Sequence, residues 1–257
     1  MLDGPALRVR QEGSSDRLFP IQRLSTIVVS GCVQWDTPAL LHCAEQGVSI
    51  NFLSKKGSVR ARVISGIEHK NDYDFNDIIN QYIELPGCEK IYRRWLLTQR
   101  FFTQQELADA LNINCKNLYG KNYDEVLQAK LYANAGHKDL LFFNKYLHQL
   151  IVIYITEKLL EKGIDIESPI LDLAGINLVS DLSDLCHTKV MKKIVTFIRH
   201  LYNRSRKRCC ARPTISISQV IQLFEQQKEC LDAAIERYFR RFFQHILSTI
   251  YDHVITR

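Results

Sequence analysis

The chain reads as an α+β protein in which a small amino-terminal β-rich domain precedes a larger α-helical domain. Three observations predict this. Short apolar β-runs separated by turn-prone GSSD and KKGS occupy most of the first 66 residues. Beyond residue 80 only the three-and-four spacing of helices persists. Between the two textures, HKNDYDFND is polar and turn-forming, as a linker would be. The expected division is 1–66 for the β-rich domain, 67–79 for the linker and 80–257 for the helical domain. At 257 residues and 46% hydrophobic content, there is enough apolar surface for one large or two modest cores.

Strands are expected over Ala6 to Arg10, Arg17 to Phe19, Leu24 to Ser30, Val48 to Leu53 and Ser58 to Ile64. Within SGCVQWDTPALLHCAEQGVSINFLSKKG, a Gly turn leads into a short amphipathic helix from Pro38 to Gln46, and a Lys-Lys-Gly turn closes the strand after it. Helices are expected over Cys88 to Phe102, Gln104 to Leu111, Tyr123 to Ala135, Leu140 to Lys162, Val179 to Asn203 and Ile215 to Val254. Leu147, Leu150, Ile151, Tyr154, Ile155 and Leu159 form an apolar stripe for a bundle core. The last candidate is long enough that a break is expected within it.

Composition narrows the function classes. Eight scattered cysteines without a CxxC pair favour reduced thiols over a disulfide framework or a zinc site. The opening MLDGPALRVRQEG lacks an apolar signal core, and no apolar run approaches the ~18 residues of a membrane span. A cytoplasmic, membrane-free protein is therefore expected. The net charge is +6, yet Leu185 to Phe224 alone carries nine Lys/Arg and no Asp or Glu, so the remainder is net acidic. Arg199, Arg204, Arg206, Lys207, Arg208 and Arg212, with Tyr202 interleaved, suit contact with nucleic-acid phosphates. The competing reading is a solvated helix face. Arg93, Arg94 and Arg100 form a second candidate DNA-binding patch beside Trp95, although Arg93 and Arg94 point in different directions on a helix and Trp95 reads as core.

Asp181 and Asp184, in NLVSDLSDL, stand three apart and so share a helix face. Two carboxylates that close repel unless a cation sits between them, which makes the pair a candidate for Mg²⁺ or Mn²⁺. The plainer alternative is two solvated acids near a helix start, where negative charge is favoured. His137 and His187 are weaker ligand candidates, each better read as a surface or capping residue. TQQELADALNIN looks like the entry to a helix-turn-helix, but the following CKNLYGKN is too short and Gly-broken for a recognition helix.

The strand–helix–strand order of residues 24–64 resembles the amino-terminal domain of the CRISPR-associated integrase family, the Cas-one proteins. Further pieces occur in the family's order. EVLQAKLY supplies Glu125, Ala129 and Tyr132 of the E-G-x-x-A-x-x-Y motif, with Val126 in place of its Gly. Asn144, Gly163-Ile164-Asp165 and LVSDLSD come next. By this resemblance the helical domain is of the catalytic type, with Glu125 and Asp184 as catalytic residues and Glu125, Asp172, Asp181 and Asp184 as metal ligands. The resemblance further implies a homodimer held by the β domain, a small Cas-two partner and a DNA substrate. Captured DNA would be inserted into a repeat array when its 3′ hydroxyl attacks a phosphodiester.

The departures from the pattern bear on activity. Asp172 stands where the family has its ligand His, while Ile166 and Pro169 replace that loop's Pro and second Gly. Tyr132 and Asn144 lie only twelve residues apart, where the family has a longer connection. An all-carboxylate centre is chemically open to Mg²⁺ or Mn²⁺, because hard cations accept carboxylate oxygens. The alternative is a catalytically inactive, DNA-binding or scaffolding relative.

Overall fold

A computed structural model describes residues 2–11, 13–54, 59–63, 75–113, 125–126, 129, 137–166, 168, 171, 174–207 and 215–255. The chain divides into two compact units, Met1–Lys70 and Asn71–Arg257.

In the first unit β1 (Leu2–Asp3), β2 (Ala6–Val9) and β3 (Arg17–Pro20) form an antiparallel sheet in that order. A 3₁₀ turn at Ile21–Arg23 leads to β4 (Thr26–Ser30), α1 (Thr37–Glu45), β5 (Ser49–Leu53) and β6 (Val59–Val63). β4 and β5 pair in parallel, from Thr26 opposite Ser49 to Ser30 opposite Leu53. Parallel neighbours need a crossover, and α1 supplies it. β6 returns antiparallel to β5, with a register irregularity at Phe52 and Leu53. Leu7, Ile21, Val29, Ala39, Cys43, Val48 and Ile50 form one core under both sheets and α1.

The regular elements described in the second unit are all helices. Its elements are α2 (Phe75–Ile83), α3 (Cys88–Ala110), α4 (His137–Glu161), α5 (Leu178–Lys207) and α6 (Ile217–Ile255). α2 occupies the end of the expected linker. Phe75 packs edge-on against Phe239 and Phe243 of α6, with ring centroids 5.4 and 4.6 Å apart, and Ile79 and Tyr82 are buried. The flanking Asn and Asp residues hide this i, i+4, i+7 stripe in the sequence.

Two expected breaks are absent. α3 runs unbroken through Thr103, whose hydroxyl lies 2.8 Å both from the Gln99 carbonyl one turn back and from the Tyr238 hydroxyl on α6. α6 extends for 39 residues without interruption, since it contains neither Pro nor Gly. Its buried face includes Phe224, Ile235, Tyr238, Phe239, Phe242 and Phe243. Full burial of such side chains stabilises by about 1.5–3 kcal/mol each, so this stripe contributes to the bundle alongside the aliphatic packing of α4 on α5. Among the described residues, no helix is long and apolar enough to cross a membrane.

Candidate carboxylate site

The site forms where α3, α4 and α5 meet. α5 begins at a cap set by Asn177, whose Oδ1 accepts the Ser180 N–H at 3.0 Å while its carbonyl accepts the Asp181 N–H at 2.9 Å. Asn is a preferred residue at that position because its side chain satisfies a backbone donor the helix cannot. Just before it, Gly175 adopts φ +66° beside Glu89 of α3, and a Cβ there would lie 3.3 Å from the Glu89 carboxylate. The start of α5 is thereby held against the first turn of α3. Asp181, Asp184 and His187 follow at three-residue intervals along one face.

α3 presents Tyr92 and Arg100 to this face, eight residues and two turns apart. The Tyr92 hydroxyl donates to Asp181 Oδ2 at 2.8 Å. One terminal nitrogen of Arg100, Nη2, donates to both carboxylates, at 3.0 Å to Asp181 Oδ1 and 3.2 Å to Asp184 Oδ2. From α4, His148 Nε2 lies 3.1 Å from Asp184 Oδ1. A carboxylate only accepts, so that ring nitrogen carries the proton. The His148 ring also meets His187 edge-on at 5.5 Å, and His187 Nε2 is buried with no hydrogen-bond partner among the described residues.

Charge balance explains the arrangement. Two carboxylates about 5–6 Å apart repel by roughly 3 kcal/mol at an effective dielectric of about 20. Arg100 offsets that repulsion from between them. The two acids nevertheless differ. Burial raises the Asp181 pKa above the usual carboxylate value, against the Tyr92 bond and the Arg100 charge, and the Asp184 charge raises it further. The His148 hydrogen bond leads in lowering the Asp184 pKa, against burial, with His148, Arg100 and His187 charge adding to it. Burial pushes His187 down to about 4. Tyr92 is raised by burial and then by Asp181, so its phenol stays protonated and remains a donor.

The residues that the sequence singles out separate into groups. Asp181 and Asp184 come together as their spacing indicates. Glu125 is helical and exposed, but most of its neighbours, 121–124 and 127–128, lie outside the described residues. Asp172 lies outside them as well, as do Arg208, Arg212 and the side chains of His137, Arg204, Arg206 and Lys207. Arg199 and Arg94 are exposed on α5 and α3, and Arg93 pairs with Glu89 at 2.6 Å. Trp95 is buried, as expected. Arg100 differs from its expected place in a surface patch, because both acids draw its guanidinium inward. His148 and Tyr92 are additions to the expected site residues. Spacing in the sequence does not mark His148, because only the packing of α4 along α5 brings it to Asp184.

The donor set of Asp181, Asp184 and His148 is of a kind that binds divalent cations, two oxygens and a nitrogen. As arranged, however, it does not fit one. Arg100 bridges the carboxylates, Tyr92 takes the remaining Asp181 oxygen, and His148 turns an N–H rather than a lone pair toward Asp184. Among the described residues, no three His, Cys, Asp or Glu side chains form a ligand set for a metal ion.

Residues 1–82 match the family described as CRISPR associated protein Cas1. No curated protein matches the chain. Among solved structures, a Cas1 protein from Thermotoga maritima superposes with a TM-score of 0.67 at 12% identity, covering 96% of this chain and 94% of that one. A casposase bound to integration product superposes with a TM-score of 0.63 at 9% identity, covering 97% and 88%. At those identities the likeness establishes the fold, and the family match lies in the amino-terminal residues. Residues 1–82 are thus similar to the Cas1 family in sequence, and nearly the whole chain shares the fold of a Cas1 protein.

Proposed function

We propose that the chain acts on DNA as an integrase-type protein of CRISPR adaptation, positioning captured DNA so that its 3′ hydroxyl attacks a repeat phosphodiester. The observation that carries this reading is the extent of the fold, shared across both units with a Cas1 protein and with a casposase bound to integration product. DNA contact falls to the basic segment of α5 and beyond, Arg199, Arg204, Arg206, Lys207, Arg208 and Arg212, with Arg93 and Arg94 as a smaller exposed contribution from α3. The β-rich unit serves as the contact in a homodimer, a small Cas-two protein is the partner, and the cytoplasm is the site of action.

The finer form of this proposal is a metal-dependent endonuclease and integrase using Mg²⁺ or Mn²⁺ on Glu125, Asp184 and either Asp181 or Asp172. The described residues do not assemble that centre. What they do is fix the two acids. Tyr92 and Arg100 orient Asp181, while His148 and Arg100 keep Asp184 anionic and aimed. The bridging guanidinium is the specific observation that favours a second reading, a DNA-binding or scaffolding relative without strand chemistry.

One experiment separates the two readings. The purified protein, Glu125→Ala and Asp184→Asn are incubated with branched DNA in Mn²⁺, Mg²⁺ or EDTA, and both binding and strand joining are followed. Metal-dependent joining that disappears in both variants supports the integrase. Salt-sensitive binding without joining establishes the scaffold. Absence of DNA binding at low salt would sink both readings.

A further inference from the structure

We infer that Arg100 is the resident counter-cation of the Asp181–Asp184 pair in the DNA-free chain, so that a divalent ion gains access to the pair only by displacing it. A single atom makes the bridge. Nη2 of Arg100 contacts an oxygen of each acid, at 3.0 and 3.2 Å, and so occupies the space between the two carboxylates. A Mg²⁺ ion at its usual ~2.1 Å from carboxylate oxygens cannot share that place with a guanidinium. A permanent positive charge beside the ion would also weaken its binding, and Arg does not shed its proton.

The surroundings keep Arg100 in place. Its side chain is 39% exposed, whereas Asp181, its nearer partner, is only 15% exposed and also bound by Tyr92. Tyr92 and Arg100 lie on the same helix, so the Tyr92 bond sets the height of Arg100 against α5. On the far side His148 donates to Asp184 and reduces the pair's demand for further positive charge. One of the two negative charges is therefore balanced by Arg100 and the Asp184 oxygen is further stabilised by the His148 hydrogen bond, in keeping with an Asp pair that has no converged ligand set among the described residues.

Cation occupancy of the DNA-free chain is independent of whether the protein joins DNA strands, so failure of this inference is separable from failure of the functional reading. The probe is Mn²⁺ alone, titrated into the full-length protein while the free aquo ion is counted by electron paramagnetic resonance. Four proteins are compared: the unaltered chain, Arg100→Met, Arg100→Lys and the double variant Arg100→Met/Asp184→Asn. Each is first checked for helical circular dichroism and a cooperative melt. Arg100→Met is expected to bind one Mn²⁺ at least tenfold more tightly than the unaltered chain, and the double variant to lose that gain. Arg100→Lys, which keeps the charge, should remain close to the unaltered chain.

Equal Mn²⁺ affinity in the unaltered chain and Arg100→Met would overturn the inference. Should Arg100→Met not fold, the unaltered chain and Asp184→Asn decide the matter. With Arg100 in place any binding at the pair is weak, so the two differ at most in weak binding, and a tight Mn²⁺ site present in the first but missing from the second refutes a resident Arg100.

Discussion

His187 is the residue through which acid should reach this fold. Its ring is held neutral, at about 4 against an ordinary 6.5, by burial first and by the neighbouring His148 second, with Asp184 acting in the opposite direction. Between those two values the unfolded chain takes up a proton that the folded chain refuses, so stability falls as pH drops through this window. The single-group contribution is of order 3 kcal/mol. Asp184, with its lowered pKa, adds a loss of the same sign at lower pH, whereas raised Asp181 contributes with the opposite sign. Urea unfolding of the protein and of His187→Gln at several pH values checks this. The variant should show a flatter stability profile between pH 6.5 and 4. Tyr92→Phe is the companion test. It leaves the packing ring and removes the donor to a mostly buried acid, and should cost about 1–3 kcal/mol in the same measurement.

At the level of elements, the turn before α5 carries the sharpest expectation. Gly175 combines a left-handed backbone with the close approach of Glu89. Gly175→Ala should destabilise by roughly 1 kcal/mol or more, read as a lower urea midpoint with unchanged slope. Gly13 has a similar left-handed φ but open space around it, so Gly13→Ala should carry the backbone cost without a side-chain clash. Comparing the two isolates the effect of Glu89.

The same elements show what sequence can and cannot reveal. The β4–α1–β5 crossover is legible because Gly turns and alternating apolar runs punctuate it locally. The Asp181–Asp184 face is legible because helical spacing places i and i+3 together. α2 is hidden by its polar flanks, and α3 reads as broken at a β-branched Thr whose hydroxyl in fact finds partners on its own helix and on α6. His148 is out of reach, lying 36 residues from Asp184 and beside rather than within the apolar stripe of its helix, so that only helix packing brings the two together. The direction of Arg100 is likewise invisible, since a charge on a helix gives no sign of which neighbour will claim it.

For the whole molecule, the division at Lys70 and Asn71 predicts that the helical unit carries its own core. A fragment of residues 71–257 should show strong helical circular dichroism and a cooperative thermal transition. A non-cooperative melt would mean that its stability depends on the β-rich unit. If the α5 basic segment meets DNA phosphates, replacing Arg204, Arg206 and Lys207 with Ala should reduce the slope of log affinity against log salt by about 1 for each phosphate no longer neutralised.

Tyr92 belongs to two neighbourhoods at once. Its ring stacks on Trp95 at 5.8 Å and meets Phe242 of α6 edge-on at 5.9 Å, while its hydroxyl holds Asp181. The inheritance of defects should reflect this. Lesions in the Phe242 core should mimic lesions of the acid pair, and second-site revertants of an Asp181 or Arg100 defect should map to α6, on a helix that donates no side chain to either acid among the described residues.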